Sequence, residues 1–381
     1  MGTSDIAQRP TKSSSNIDVI KKKSCLPQTH ILFLKTHKTG SSTIMNILFR
    51  FGESHNLTFA LPTYDAAQFF YPLYFNAAFV EDYIRKAIHH FDIMCHHMRF
   101  HLGEVEKVMP KDTFYFTILR NPVSLMESSF TYFKAIDIFI NASSLEEYIM
   151  NPYKFYNKTS KYSSYGRNLM TFDLGFDHNG PKSSKYFQLA QKTVEIMFDL
   201  VLISEYFDES LVLLKDALCW TYDDVLSFPL NIRSNFTRNV LPVRVQEKIK
   251  IWNQLDWQLY VYFNKTFWEK VDEFGRERMQ QEVEELQRRR TLQSKICLQG
   301  QVDPNEITDE SLKPYQAGIA RILGYNLKQG LGGAERSLCK RLVTPELQYT
   351  NLLLNKHKQK TGKTKIVKKI LKRKVSKFGH K

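Results

Sequence analysis

Short unbroken apolar runs recur along the chain, and each is followed by a stretch whose apolar residues repeat at helical spacing. Ile31 to Leu34 is such a run. After it, Ile44, Met45, Ile47, Leu48 and Phe51 mark one side of a helix that begins near Ser41. Residues 57–61 and Phe91 to Cys95 have strand character. Phe114 to Leu119 precedes Val123, Leu125, Met126, Phe130 and Phe133, and the run within residues 199–204 precedes a helix over 207–219. A run that is apolar at every position has no solvent face, as in an interior strand of a sheet covered on both sides. Strands alternating with helices predict an α/β fold, a central parallel sheet with right-handed crossovers and flanking helices. Residues 245–292 read as helical throughout, with Trp252, Leu255, Leu259, Phe263, Phe267, Val271 and Phe274 in register, so the C-terminal region is helical. Trp252, Trp257 and Trp268 are read as packing residues in preference to sugar platforms.

The first strand-to-helix junction carries chemistry. Leu34 runs into Lys-Thr-His-Lys-Thr-Gly-Ser-Ser-Thr, residues 35–43. Free backbone N–H groups and the helix dipole make such a junction an anion cradle. Gly40 lets the backbone approach a phosphate, Lys38 adds a cation, and Ser41, Ser42 and Thr43 add hydroxyls. The plainer reading is a hydroxyl-rich helix cap with no ligand. The nucleoside-triphosphate loop pattern is not met, because the lysine precedes the glycine and the first glycine is missing. Lysine ahead of Thr-Gly-Ser-Ser-Thr resembles the 5′-phosphosulfate loop of sulfotransferases, whose donor is 3′-phosphoadenosine 5′-phosphosulfate (PAPS).

A second junction follows about 80 residues later, where Phe114 to Leu119 ends in Arg120-Asn-Pro. Pro122 suits the first turn of a helix, and Ser128 lies about two turns beyond Arg120. Sulfotransferases hold the donor's 3′-phosphate with an arginine and a serine so placed. Guanidinium offers a planar fork to phosphate oxygens. Between the junctions lies His96-His-Met-Arg-Phe-His101. Transfer to a hydroxyl requires a base, and neutral imidazole suits the task. His97 is the first choice and His96 the reserve, and strand alternation would point them to opposite faces. These histidines lack a Cys or carboxylate at a familiar zinc spacing.

The loop at 35–43, Asn46 to Glu53, His97 to His101 and Glu205 to Lys215 resemble the galactose 3-O-sulfotransferases, the family that includes galactosylceramide (cerebroside) sulfotransferase. Arg167-Asn-Leu, Phe172-Asp-Leu-Gly-Phe-Asp177, Phe274 to Arg278, Ile322 to Lys328 and Thr344-Pro-Glu-Leu-Gln-Tyr349 match as well. The resemblance implies a P-loop-like sulfotransferase fold over residues 29–350, between a polar segment 1–28 and a basic tail 351–381. It implies a Golgi enzyme that moves sulfonate from PAPS to the 3-hydroxyl of a terminal β-galactose. Galactosylceramide and related glycolipids are the first acceptors to expect, and galactosylated N- or O-glycans the alternative. Lys38, Thr39, Gly40, Ser41, Ser42, Thr43, Arg120 and Ser128 would bind the donor, with Lys38 and His97 catalytic and no metal required. Family members carry an N-terminal transmembrane anchor, whereas the polar start of this sequence shows neither an anchor nor a signal peptide. Two other classes compete. A nucleotide-dependent kinase would need a magnesium carboxylate that is not evident. A catalytically silent carbohydrate-binding homologue would bind PAPS without turnover.

A hydrophobic content of 43% with 13% aromatics fits a globular protein. The net charge of +15 owes much to residues 356–381, which contain many lysines and no acid. Ile366, Val367, Ile370, Leu371 and Val375 would give that tail an apolar face for an anionic membrane surface, against the plainer reading of a solvated tail. A doubly anionic donor accounts for part of the remaining charge, and nucleic acid is not expected as a partner. Five Asn-x-Ser/Thr sites begin at Asn56, Asn141, Asn157, Asn235 and Asn264, which would matter only in a secretory compartment. Of five cysteines, Cys95 and Cys219 read as small apolar groups, Cys297 and Cys339 as a pair, and Cys25 is left over.

Overall fold

The computed structural model describes residues 25–64, 66–84, 90–238 and 240–360. Its main elements, joined by shorter turns of helix, begin with β1 (Ile31–Leu34), α1 (Ser41–Ser54), β2 (Phe59–Ala60), β3 (Ile93–Met94), β4 (Phe114–Leu119) and α2 (Pro122–Tyr132). The chain continues through α3 (Leu169–Asp173), α4 (Ser184–Met197), β5 (Leu200–Ile203) and α5 (Phe207–Ala217). The five strands form one wholly parallel sheet in the order β2-β3-β1-β4-β5. All four residues of β1 and of β5 are buried, as their unbroken apolar sequences require. From β1 the chain leaves toward β2, and from β4 it leaves toward β5. The connections therefore diverge between two adjacent strands, which opens a crevice at their carboxyl ends.

The expected continuous helix over 245–292 is three helices: α6 (Val243–Trp252), α7 (Gln254–Phe274) and α8 (Arg276–Cys297). The apolar period runs on through both breaks, so sequence pattern alone hides them. Gly275 breaks the second with φ 95°. Asn253 sits at the first, and its side-chain oxygen accepts the Asn168 N–H at 2.8 Å, tying the helices to the start of α3. Trp252 is buried and donates its indole N–H to the Gly166 carbonyl at 2.7 Å, while Trp257 and Trp268 pack half-buried on the core, so all three pack as read.

Beyond α8, β6 (Leu298–Val302) and β7 (Gly324–Leu327) form an antiparallel pair over a small second cluster of buried side chains. The chain then returns to the main sheet through α9 (Gly333–Val343) and α10 (Glu346–Lys360). Asn46 of α1 donates to the carbonyls of Arg341 and Thr344, and the Tyr349 hydroxyl donates to Glu53 at 2.5 Å. α10 carries helix past position 351, and the apolar tail positions from Ile366 onward lie outside the described residues. No helix among the described residues is long and apolar enough to cross a membrane.

Two disulfides form. Cys297 pairs with Cys339 as expected. Cys219 does not pack as a lone apolar residue but pairs with Cys25, which is therefore not left over. Cys219 follows the end of α5 with φ 56°, and nearby the Gln28 N–H donates to the Leu218 carbonyl, so the segment before β1 is drawn alongside. Cys95 is free and buried, and burial pushes its thiol pKa up.

Candidate active site

The crevice between β1 and β4 deepens into a cavity of about 1230 Å³. Its walls are the loops after β1, β4 and β5 and the segments around Arg233, Tyr315 and Glu346. Lys38, Gly40, Ser41, Ser42, Thr43, Arg120 and Ser128 all face it, as does His97.

The loop after β1 is held by its own side chains. Thr36 donates to the Ile118 carbonyl of β4 at 2.5 Å, and Ser41 donates back to the Thr36 carbonyl at 2.7 Å. The Thr39 hydroxyl pairs with that of Thr36 at 2.9 Å and is fully buried, so it shapes the loop instead of facing the cavity. Lys38 and Gly40 both take left-handed backbone, with φ 61° and 81°. A Cβ at Gly40 would also meet the Phe207 ring at 3.3 Å. Ser42 donates to Glu346 at 2.8 Å, and the Thr43 oxygen accepts the Leu230 N–H at 2.9 Å.

Arg120 joins the two junctions, because its Nη1 donates to the Lys38 carbonyl at 2.7 Å. Asn121 caps α2 by accepting the Val123 N–H at 2.9 Å, and Pro122 fills the first turn, which turns Ser124 and Ser128 toward the cavity. Glu127 pairs with Arg233, and Asp208 with Arg290. Among the described residues Lys38, Arg120 and Arg238 face the cavity with no carboxylate in ion-pair contact. Lys38 lies 3.6 Å over the Tyr132 ring. Burial first, then Arg120, Lys35 and Arg233, lower its pKa to about 7.

Two groups behind the loop escaped the sequence reading. Lys35 is buried between His97 and Glu346: its Nζ lies 2.7 Å from His97 Nε2 and 3.0 Å from the Glu346 carboxylate. His97 Nδ1 donates to the Lys35 carbonyl at 2.8 Å, so Nε2 is the nitrogen that accepts from the ammonium. Burial, with His37 and Lys35 nearby, holds the His97 pKa well below the usual imidazole value. The second group centres on His37, which stacks on His97 with ring centroids 3.8 Å apart. Its Nδ1 lies 3.0 Å from the buried Asp173 carboxylate, which also accepts the His37 N–H and the Tyr71 hydroxyl. In the neutral ring that contact places the proton on Nδ1 and the lone pair on Nε2, which has no hydrogen-bond partner. His96 points away, bonded to Thr350 and packed beside Phe49 and Phe69, and burial lowers its pKa to about 3. His101 caps the short helix Leu102–Val105.

Asp173 and Glu346 lie within stretches that carried the resemblance, Phe172 to Asp177 and Thr344 to Tyr349. Nothing in their spacing ties either one to residues 35–43. Comparison with known proteins settles the family. The galactose-3-O-sulfotransferase family model matches residues 4–357. The chain belongs to the galactose-3-O-sulfotransferase family. It is 48% identical over 330 residues to galactose-3-O-sulfotransferase 2 of Mus musculus, covering 85% of this chain and 84% of that protein. It is 45% identical over 332 residues to human galactosylceramide sulfotransferase, covering 85% and 78%. It is 36% identical over 406 residues to human galactose-3-O-sulfotransferase 4, covering 87% and 83%.

A sulfotransferase of this family takes its sulfonate from PAPS, and the cavity fits that co-substrate. The backbone that opens α1 and a separate arginine–serine pair stand at neighbouring junctions of the same cavity, and the cations along it suit an anionic ligand. Among the described residues no group of three or more His, Cys, Asp or Glu side chains is placed to hold a metal ion.

Proposed function

We propose that this sulfotransferase moves the sulfonate group of PAPS to the 3-hydroxyl of a terminal β-galactose, on galactosylceramide and related glycolipids, in the Golgi. Galactose ends of N- or O-glycans present the same hydroxyl and are the alternative acceptors. The observation that carries the reading is that the loop after β1 and the Arg120/Ser128 pair after β4 face one cavity, linked by the Arg120–Lys38 hydrogen bond. The backbone of residues 39–43 would receive the 5′-phosphosulfate, and Arg120 and Ser128 the 3′-phosphate.

In the transfer, the galactose 3-oxygen attacks sulfur in line. The bond between sulfur and the bridging oxygen breaks, and its electron pair leaves with the 5′-phosphate. Charge growing there is met by the Lys38 ammonium and the loop N–H groups. The hydroxyl proton passes to an imidazole. His37 suits that role better than His97, because Asp173 orients its ring and its Nε2 has no other partner. The His97 Nε2 lone pair is engaged by Lys35.

Incubation with labelled PAPS and a panel of galactolipids and galactosylated glycans tests the function; no labelled product from any galactoside overturns it. His37→Ala is expected to lower kcat by about 10²- to 10⁴-fold, with affinity for 3′-phosphoadenosine 5′-phosphate kept. His97→Gln, which can still accept from Lys35, is expected to retain most turnover. The reverse pattern would return the base to His97.

A further inference from the structure

Three elements meet at one corner of the cavity that the donor scheme leaves unused. Tyr132 ends α2, one helical turn beyond Ser128 on the same face. Tyr315 belongs to the loop between β6 and β7 and is 62% exposed. Gln348 lies in the first turns of α10. All three line the cavity.

The corner is built by backbone contacts. The Ile319 N–H donates to the Thr131 carbonyl at 3.2 Å. A Cβ at Gly318 would lie 2.4 Å from the Tyr132 carbonyl oxygen, so loop and helix end touch main chain to main chain. The Gln348 amide reaches the same loop from the other side, with Nε2 2.6 Å from the Lys313 carbonyl. A carbonyl can only accept, so the nitrogen must face it, and Gln348 Oε1 is left buried with no hydrogen-bond partner.

The corner adjoins the sulfonate end of the donor site, since Lys38 lies over the Tyr132 ring at 3.6 Å. It combines broad aromatic surface with an unspent acceptor oxygen. A hexose matches both: one face of its ring is a patch of C–H groups, and its edges carry hydroxyl donors. We propose that this corner seats the acceptor sugar, with the galactose ring against Tyr315 and Tyr132 and a ring hydroxyl donating to Gln348 Oε1. The proposal rests on the galactoside reading of the enzyme. It explains why a tyrosine stands exposed at the rim, and why the chain returns through α10 to this wall of the cavity.

The test compares Tyr315→Ala, Tyr315→Phe and Gln348→Leu with the wild type, using methyl β-galactoside as acceptor and calorimetric binding of 3′-phosphoadenosine 5′-phosphate as a donor-side control. Tyr315→Ala is expected to raise the acceptor KM about five- to tenfold, and Tyr315→Phe to restore it. Gln348→Leu should raise KM as well, and nucleotide affinity should change less than about twofold in each. Saturation-transfer NMR of the galactoside on nucleotide-loaded protein repeats the comparison without turnover. Wild-type activity with an unchanged Tyr315→Ala KM would sink the sugar seat alone. A wild type that neither sulfonates nor binds any galactoside would sink the seat and the functional reading together.

Discussion

Lys38 carries the most telling chemistry of any single residue. It lies over the Tyr132 ring, and its pKa is lowered to about 7 by burial first and then by Arg120, Lys35 and Arg233, with Glu346 opposing them. A bound dianion must favour its charged form. Below about pH 7 the ammonium is already charged and the nucleotide binds with full affinity. Above it, binding must first take up a proton, so affinity falls as pH rises through that point. Calorimetry of 3′-phosphoadenosine 5′-phosphate in two buffers of different ionisation enthalpy should therefore show proton uptake near pH 8, absent in Lys38→Met. Gly40 makes a steric prediction in the same loop. Alanine there would need left-handed backbone and would press on the Phe207 ring at 3.3 Å. Gly40→Ala is expected to weaken nucleotide binding at least about tenfold, read in the same calorimeter.

At the scale of elements, the site depends on helices from opposite ends of the chain. α10 brings Glu346 beneath the loop that opens α1, where it answers the Lys35 charge and accepts from Ser42. Burial pushes the Glu346 carboxyl up, but Lys35 and the Ser42 hydroxyl outweigh it and hold the pKa below the usual carboxylate value. A carboxyl so held contributes stability at neutral pH that is lost on acidification. Glu346→Gln leaves Lys35 buried without its counter-charge. It is expected to cost on the order of 3 kcal/mol, seen as a lower urea midpoint at pH 7, with a smaller difference from the wild type near pH 4. The sheet was legible because unbroken apolar runs such as Ile31 to Leu34 have one natural place, inside a parallel sheet. Both strand-to-helix junctions were legible because glycine and proline there answer to backbone geometry. The Lys35–His97–Glu346 and His37–Asp173 groups were not, because each joins segments that only the fold brings together. The break at Asn253 was hidden for the same reason, since its partner, Asn168, lies 85 residues earlier.

For the whole molecule, two covalent ties close the chain on itself. Cys25–Cys219 spans 194 residues and fastens the segment before β1 to the turn after α5, while Cys297–Cys339 spans 42 and anchors α9 to the end of α8. A cross-link over so long a loop restricts the unfolded chain strongly. The Cys25→Ala/Cys219→Ala pair is expected to lose about 2–5 kcal/mol of stability, measurable by denaturant titration, with kcat little changed because neither cysteine lines the cavity. α10 has a different consequence, for synthesis. Ser42 and Glu346 lie 304 positions apart. The strands of the sheet and both strand-to-helix junctions are synthesised well before position 346, so the lysine under the loop is made long before its carboxylate. A chain released just short of position 346 would keep the strands and both strand-to-helix junctions but leave Lys35 without its counter-charge, and it is expected to lose turnover.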